Sequence, residues 1–347
     1  MHTNLWWWRP TIVCLLPLLA GCGLPALAAT VPAALQLGPA APVEVGADQV
    51  TLLRSGPATF QVLQSLIRGA RFSVDVEVYE FGRRGLADEL VAAQKRGVAV
   101  TVIDDPSELS SAATAARLRR AGIDVVDYPV RRLMIDHVKL LVVDADVAVV
   151  GGINWGVASP ANHDYDAEVR GPAVHNLLRV FFRDLVTCGQ DVAVPDPEPD
   201  TAVVVAATLP GQEIRPLALE LIGDAAHSLH LELFVLTDTG IVHALIAAAS
   251  RGVSVSVLLD PSQRSSMPAF LALEASGVID VRWYRSHGEL LHAKAMVADS
   301  DAVLFGSANW SGGGFARNHE LDIELPNAPV VATAMLAQMA LDWSASA

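Results

Sequence analysis

The sequence predicts an α/β fold: two tandem homologous α/β/α domains with mixed, largely parallel sheets, packed about a pseudo-twofold axis. One observation is a motif that occurs twice, at 137–155 and 292–310, reading His-x-Lys-x4-Asp and then Gly-(Gly or Ser)-x-Asn-Trp. Another is that the same offset of 155 residues relates distant segments, such as Arg96-Gly97-Val98 and Arg251-Gly252-Val253. The third is the alternation of predicted strands and helices in each half, which is typical of helices that cover the faces of a sheet.

Changes in composition divide the chain into five segments. We predict a signal peptide and lipobox region at 1–28, a flexible tether at 29–46, a first domain at 47–190, a Pro-rich linker at 191–208 and a second domain at 209–347. The tether is rich in Ala and Pro without a hydrophobic period, as expected of a flexible spacer. A chain of 347 residues that is 52% hydrophobic can supply a core to each domain.

The N-terminal segment has the pattern of an export signal. Arg9 precedes the apolar stretch 11–19, and Leu19-Ala20-Gly21-Cys22 then matches the lipobox of bacterial lipoproteins. This pattern predicts lipidation of Cys22 and an exported bacterial protein, anchored to a membrane as a lipoprotein or otherwise periplasmic or secreted. Ordinary cleavage near Ala26-Leu27-Ala28 and an uncleaved anchor remain the alternatives.

Local patterns predict the elements of the first half. Ser55-Gly56-Pro57 is a typical helix start, because Ser caps free amides and Pro fits the first turn. Gly97 is expected to end a helix in the left-handed conformation. Asp144-Ala145-Asp146 is expected to turn the motif strand back as a hairpin. The remaining predictions are strands at 72–79 and 98–103 and helices at 85–96, 109–121 and 174–186.

Charge and cysteine content limit the classes of function. The formal net charge of −14 argues against a non-specific binder of polyanions, which needs Lys and Arg to neutralise phosphates. Of the three cysteines, Cys14 lies in the predicted signal and Cys22 would carry lipid. Cys188 is then alone, so no disulfide is expected, and it is interpreted as a small core residue.

The repeated motif joins three kinds of side chain that suit an oxyanion. In an extended strand His137 and Lys139 point the same way, and the hairpin returns Asn154 to the same edge. The ammonium supplies charge, the carboxamide supplies directed N–H donors, and the imidazole attacks or moves a proton. A single His-x-Lys would be read as a surface strand, but its recurrence with the spacing intact favours a phosphate site.

The paired motifs resemble those of the phospholipase D superfamily. The segments 76–79, 95–100 and 168–174 resemble its cardiolipin synthase-like branch. The resemblance spans about residue 52 to the C-terminus and implies a metal-independent enzyme without a cofactor. The motif residues that it implies to be catalytic are His137, Lys139, Asp144, His292, Lys294 and Asp299. Those that it implies to bind substrate are Asn154, Asn309 and Ser307.

The resemblance also implies a two-step mechanism through a phosphohistidine, with His137 as nucleophile and His292 as general acid and base. Asp164 and Glu320, at matching positions, are expected to orient the motif histidines, with Glu320 holding His292. Asp144 and Asp299 lie at the predicted turns, so they are expected to support the motif rather than touch substrate.

Two carboxylates in the middle of matching strands have two possible environments. Glu77 and Glu232 could face the shared cleft and a lysine, or could point to solvent.

Three functions remain in competition. The first is a phospholipase D or phosphatidyltransferase, cardiolipin synthase being one variety, with a phospholipid or other phosphodiester as substrate and a membrane surface as partner. The second is a metal-independent nuclease or phosphodiesterase, although the acidic balance disfavours nucleic acid. The third is a non-catalytic phosphate-binding module, which the two intact motifs disfavour. Both motifs lie in one chain, so a monomer is expected to suffice for one active site.

Overall fold

The computed structural model describes residues 39–285 and 288–346. The predicted signal region and its lipidation site Cys22 lie outside the described residues. The described chain contains helices that we number α1 to α9: Gly56–Gly69, Arg84–Lys95, Ala112–Arg120, Ala173–Thr187, Ile214–Asp224, Thr239–Ser250, Met267–Ser276, Gly312–Ala316 and Pro329–Ala345.

The strands are numbered in the same way through both halves. Those before α5 are β1 to β10: Val43–Val45, Asp48–Leu53, Ser73–Val78, Ala99–Asp104, Asp124–Asp127, Lys139–Val143, Val147–Gly151, Asn162–His163, Asp166–Arg170 and Val204–Ala207. Those after α5 are β11 to β17: Ser228–Leu233, Ser254–Leu259, Asp280–Trp283, Leu290–Leu291, Lys294–Ala298, Ala302–Gly306 and Leu321–Leu325.

Two mixed sheets form the two halves, which confirms the predicted α/β class. The first has the order β1-β2-β9-β7-β6-β3-β4-β5 and the second β10-β17-β16-β15-β11-β12-β13. Within these two sheets of the described residues, parallel pairing is limited to β3-β4-β5 and β11-β12-β13, so the sheets are more antiparallel than expected. The reason is that the motif hairpin and the strand after it join each sheet by direct reversals, which give antiparallel neighbours.

Two of the predicted boundaries differ from the observed elements. Val43–Val45, placed in the predicted tether, pairs with β2. Val204–Ala207, placed in the predicted linker, pairs with β17 as the edge of the second sheet. Both strands are short edge strands, and three or four residues are too few for a hydrophobic period to identify a strand.

Local chemistry explains the elements that were predicted. The Ser55 side chain accepts a hydrogen bond from the Ala58 amide, and α1 begins at Gly56 as expected. Gly97 has a φ of 91° and follows Arg96, the residue that caps the C-terminal end of α2. Asp144 and Ala145 have φ values of 54° and 52°, the twisted turn that favours a hairpin between β6 and β7.

Three apolar cores hold the layers together. One lies between the first sheet and α1 to α3, and a second between the second sheet and α5 to α7. The third contains residues of both sheets together with α4 and α9. The short parallel pair β8–β14 also joins the two halves. The motif strands β6 and β15 therefore both contribute side chains to the core that the two halves share.

Candidate active site

The first motif histidine lies at the junction of the two halves. His137 lies two residues before β6 begins, and its backbone amide donates to the carbonyl of His319 in the second half at 2.7 Å. Its Nδ1 is 2.7 Å from Oε2 of Glu320 and 3.1 Å from the Ser307 carbonyl. Because both neighbours are acceptors, Nδ1 carries the proton and Nε2 is left with its lone pair.

The second motif histidine has the reciprocal arrangement. The His292 amide donates to the His163 carbonyl at 2.9 Å, and its Nδ1 lies 3.0 Å from both carboxylate oxygens of Asp164. Each histidine is therefore held by a carboxylate from the opposite half. The expectation that Glu320 would hold His292 is wrong, since Glu320 holds His137 and Asp164 holds His292.

The motif lysines lie beside their histidines in both halves. Lys139 donates to the His137 carbonyl, and Lys294 donates to the His292 carbonyl and lies 3.1 Å from Nε2 of His292. Burial lowers the pKa of Lys139 to about 7 and that of Lys294 to about 8. A bound phosphate would favour the charged form of both amines.

The two histidine–carboxylate pairs differ in their electrostatics. Burial, with Lys139 beside it, holds the pKa of His137 well below its usual value, and burial raises the pKa of Glu320 to about 7. Burial alone would raise the pKa of Asp164, but His292 holds that pKa below its usual value. Burial also lowers the pKa of His292, while Asp164 opposes this effect. His292 thus has the ionised partner that favours an imidazolium.

The motif asparagines are placed as predicted, one after each hairpin. The Oδ1 atoms of Asn154 and Asn309 are buried, and no described residue donates a hydrogen bond to them. A buried amide oxygen without a donor is costly, so each Oδ1 is suited to a hydrogen-bond donor of a ligand in the cleft, whereas Nδ2 is the atom that could donate to a phosphate.

The role expected of Ser307 in substrate binding is not what the structure shows. Its buried hydroxyl donates to Oε2 of Glu320 at 2.7 Å and accepts from the Leu321 amide at 3.0 Å. At the matching Gly152, an added Cβ would lie 2.6 Å from Oδ1 of Asp164. The serine therefore positions Glu320, and the glycine makes room for the opposite carboxylate.

The motif aspartates lie at the other ends of the motif strands. Asp144 accepts hydrogen bonds from the amides of Arg71, Phe72 and Ser73 at 2.7–3.2 Å. Asp299 accepts in the same way from the amides of 226–228. These contacts fasten each hairpin turn to the start of the neighbouring strand, so grouping the aspartates with the catalytic residues reflects their place in the motif rather than contact with substrate.

Glu77 and Glu232 adopt neither of the two predicted environments. Glu232 accepts from His163 at 3.0 Å and from the Tyr165 hydroxyl at 2.8 Å. Glu77 is fully buried and lies 3.6 Å from Nε2 of His319. Both carboxylates therefore belong to buried clusters behind the motif histidines rather than to the cleft or the surface.

These clusters each contain a histidine next to an orienting carboxylate, which the sequence reasoning did not use. His319 is hydrogen-bonded to Asp184 of α4 at 2.8 Å, and His163 lies 3.4 Å from Asp342 of α9. Each cluster combines ligand types that can bind a metal, whereas the resemblance implies a metal-independent enzyme. The 2.8 Å distance between Nε2 of His319 and the Asp184 carboxylate is that of a hydrogen bond, and this bond links the two halves.

Aromatic neighbours of the motif histidines were also missed. Tyr79 lies 5.0 Å from the His137 ring, and Phe234 lies 4.8 Å from the His292 ring, measured between centroids. Their rings also lie within 5.4 Å of Lys139 and Lys294 respectively. The offset of 155 residues relates the two positions, so the repeat held this signal.

Curated relatives of this chain are cardiolipin synthases. It is 26% identical over 324 residues to the probable cardiolipin synthase YwiE of Bacillus subtilis, covering 82% of this chain and 64% of that protein. It is 29% identical over 313 residues to cardiolipin synthase A of Pseudomonas putida, covering 80% and 64%. The chain thus spans about 64% of the length of these relatives.

Solved structures share the fold at low identity. Phosphatidylserine synthase of Haemophilus influenzae superposes with a TM-score of 0.66 at 13% identity, covering 88% of both chains. Polyphosphate kinase of Porphyromonas gingivalis superposes with a TM-score of 0.64 at 16% identity, covering 86% of this chain and 47% of that one. At these identities the likeness shows the fold alone.

The relatives correct the predicted localisation. The prediction of export as an anchored lipoprotein, or as a periplasmic or secreted protein, is wrong: the matched relatives are cardiolipin synthases, and no match supports an export signal. Within 39–285 and 288–346, no helix combines the length and apolar character needed to cross a bilayer.

The internal repeat coincides with two copies of one family. The family described as cardiolipin synthase, PLD-like domain, matches residues 63–186 and again 218–343. These two ranges contain both motifs and both orienting carboxylates. The chain therefore belongs to the cardiolipin synthase-like branch of the phospholipase D superfamily.

Proposed function

We propose that this protein is a phospholipase D-type phosphodiesterase that transfers or hydrolyses the phosphatidyl group of phospholipids through a phosphohistidine. The observation that carries the proposal is the crossed pairing, in which Glu320 of one half holds His137 of the other and Asp164 holds His292. A single site that needs both halves explains why the whole motif is duplicated.

In the first step, Nε2 of His137 attacks phosphorus and the bond to the leaving alcohol breaks. His292 donates its proton to the departing oxygen, so the alcohol leaves neutral and the phosphatidyl group stays on His137. Glu320 accepts the Nδ1–H bond of His137 and stabilises the positive charge that forms on the ring.

In the second step, neutral His292 removes a proton from water or from an acceptor alcohol. The resulting oxygen attacks phosphorus and the bond to His137 breaks, which returns both histidines to their starting states. Water gives hydrolysis and an alcohol gives transfer, so one site supports both outcomes.

The asymmetry of the carboxylates supports this assignment of roles. A nucleophile must be neutral before it attacks, and the pKa of His137 is held well below its usual value by burial. A general acid must be protonated; burial lowers the pKa of His292 as well, but less than that of His137, because the ionised Asp164 beside it opposes the effect. The ionised partner favours proton storage on His292.

The cations and amides of the cleft complete the phosphate site. Lys139, Lys294, Asn154 and Asn309 come from both halves, and they would hold the non-bridging oxygens as charge develops. No step in this sequence requires a metal. One chain supplies every one of these groups, so we propose that a monomer suffices.

Family membership and charge favour lipid over nucleic acid as substrate. The matching family is described by cardiolipin synthase, and the net charge of −14 opposes a long polyanion. The test is to incubate the purified protein with mixed phospholipids, with and without a primary alcohol, beside a DNA-cleavage assay. Release of a lipid headgroup, with a new phosphatidyl alcohol when alcohol is present, is expected. DNA cleavage without lipid turnover would contradict the proposal.

A further inference from the structure

A second basic cavity lies beside the histidine pair. It has a volume of about 410 Å³, and its wall includes Arg131, Arg183 and Arg317. Tyr128 and Met134 contribute apolar surface to the same wall. In a protein with a net charge of −14, three guanidinium groups around one cavity form a local concentration of positive charge.

The charge of this cavity is not neutralised by the protein. None of the three arginines forms an ion pair with a residue in 39–285 or 288–346. The Nε and Nη2 atoms of Arg183 are buried and have no hydrogen-bond partner among those residues. The carboxylate of Asp184, which also lines the cavity, is engaged by His319 at 2.8 Å. Arg131 and Arg317 are exposed and Arg183 is half-buried, so the enclosed Nε and Nη2 atoms of Arg183 are the costly unpaired donors of this cavity, and a planar N–H fork fits phosphate well.

The internal repeat does not reproduce this cavity. At the spacing of 156 residues that relates His163 to His319, Arg183 corresponds to Met339 and Arg317 to Ala161. The histidine chemistry uses both halves alike and does not explain a basic group on one side alone. The basic lining is therefore specific to one side of the molecule.

The cavity lies on the side of His137. The Tyr128 ring in its wall stacks on the His319 ring, with centroids 5.2 Å apart. The His319 carbonyl accepts from the His137 amide, and the next residue, Glu320, holds the His137 ring. A ligand in this cavity would contact residues that position His137 rather than the His137 ring itself.

We propose that this cavity binds the phosphate group of a second, anionic phospholipid beside the lipid that reacts. The arginines take the phosphate, and the apolar wall of Tyr128 and Met134 takes the adjoining glycerol or acyl carbons. This proposal rests on the proposed function for the identity of the lipid, but the site itself is testable without turnover.

The test is a binding measurement on the full chain. The variant Arg183→Met/Arg317→Ala carries the residues of the other half, and Arg120→Ala is the matched control, since Arg120 is exposed on α3. Glycerophosphoglycerol and inorganic phosphate are titrated by calorimetry, and vesicles of phosphatidylcholine with and without phosphatidylglycerol by sedimentation. The double variant should lose one of two glycerophosphoglycerol sites and bind phosphatidylglycerol vesicles about 10- to 100-fold more weakly, as expected for lost charged hydrogen bonds.

Equal binding by the double variant and the Arg120→Ala control would overturn the proposal. Inorganic phosphate that binds the cavity as tightly as glycerophosphoglycerol would overturn the lipid assignment in favour of free phosphate. The variant Arg183→Gln removes the charge but keeps an unbranched polar side chain, so loss of binding with an unchanged thermal midpoint supports a site rather than a folding defect. Absence of lipid turnover in all variants, with the second site intact, would count against the proposed function alone.

Discussion

At the scale of single residues, the carboxylate opposite each histidine determines what that histidine can do. Glu320 contacts His137 at 2.7 Å and is itself held by the Ser307 hydroxyl and the side-chain amide of Asn318. Asp164 instead meets His292 with both oxygens at 3.0 Å. Each half therefore holds the opposite histidine with a different pair of residues. One pair is Asp164 with Gly152, and the other is the longer Glu320 with Ser307.

We expect Asp164→Asn and Glu320→Gln each to lower kcat by roughly 10²- to 10⁴-fold with little change in KM, because each amide leaves its histidine in the wrong tautomer. Steady-state kinetics on a soluble phosphodiester checks this. Asn318→Ala is a milder companion variant, since it removes only a supporting bond to Glu320. A rise in KM with unchanged kcat in the two carboxylate variants would contradict the positioning role.

We expect His292→Ala to accumulate a phosphohistidine on His137 when the substrate has a good leaving group. Such a leaving group needs no proton for the first step, whereas the second step lacks its base. Rapid quench with labelled substrate, followed by peptide mapping, measures the label. His137→Ala is the control and should carry none. Label on His292 of the wild-type protein, with none on His137, would reverse the roles.

At the scale of elements, the motif hairpin is fastened at both ends by different chemistry. Its catalytic end pairs His137 with the opposite half, and its turn end binds three amides through Asp144. Two consecutive residues of positive φ make that turn. The identical spacing of His and Asp in the two copies thus reflects the length of the motif strand rather than a direct contact between the two residues.

Asp144→Ala should lower the free energy of unfolding by about 2–3 kcal/mol, because it removes a charged acceptor from three backbone amides. Asp299→Ala should behave alike. The exposed Asp146→Ala, which loses only a surface ion pair with Arg170, should cost less than about 1 kcal/mol. Urea unfolding measures all three. A loss of activity per folded molecule as large as that of the histidine variants would argue for a direct role of Asp144.

The buried His163 cluster should make stability depend on pH. Burial alone would lower its pKa, but the hydrogen bond with Glu232 raises the pKa of His163 to about 9. The folded pKa lies above the unfolded value of about 6.5, so the stabilisation is complete below about pH 6.5 and is lost as pH rises through about 9. The total is on the order of 3 kcal/mol.

Unfolding free energies between pH 6 and 9.5 check this for wild type, His163→Asn and the exposed His175→Asn. The wild type and the His175 variant should lose stability across this range, and the His163 variant should be weaker at pH 6 with a flatter curve. Parallel curves for wild type and His163→Asn would show that the pair does not couple folding to protons.

At the scale of the whole molecule, the duplication of the motif could be predicted from the sequence. The pairing of each motif histidine with a carboxylate of the opposite half could not. The fixed offset between His137 and His292 revealed two related halves, because a repeat is a property of spacing. Nothing in that spacing tells which carboxylate reaches which histidine, and the sequence reasoning paired Glu320 with His292. The pairing is a property of how β8 meets β14 across the junction, which only three-dimensional packing determines.

Burial was the other property that the sequence could not supply. Glu77 and Glu232 lie in predicted strands whose alternation is compatible with side chains that face a cleft or solvent. In the structure, both carboxylates are buried beside a histidine of the opposite half. The edge strand Val204–Ala207 was read as linker because four residues carry no usable period. Local patterns thus predicted elements and motif residues, while contacts between halves required the structure.

The central claim is that both histidines serve one phosphorus atom in two successive displacements. The stereochemical course at phosphorus tests it most directly, using a substrate with a chiral phosphorothioate diester and a primary alcohol as acceptor. Each in-line displacement inverts the configuration, so attack by His137 and then by the alcohol predicts net retention. Net inversion would show a single direct displacement and contradict the account.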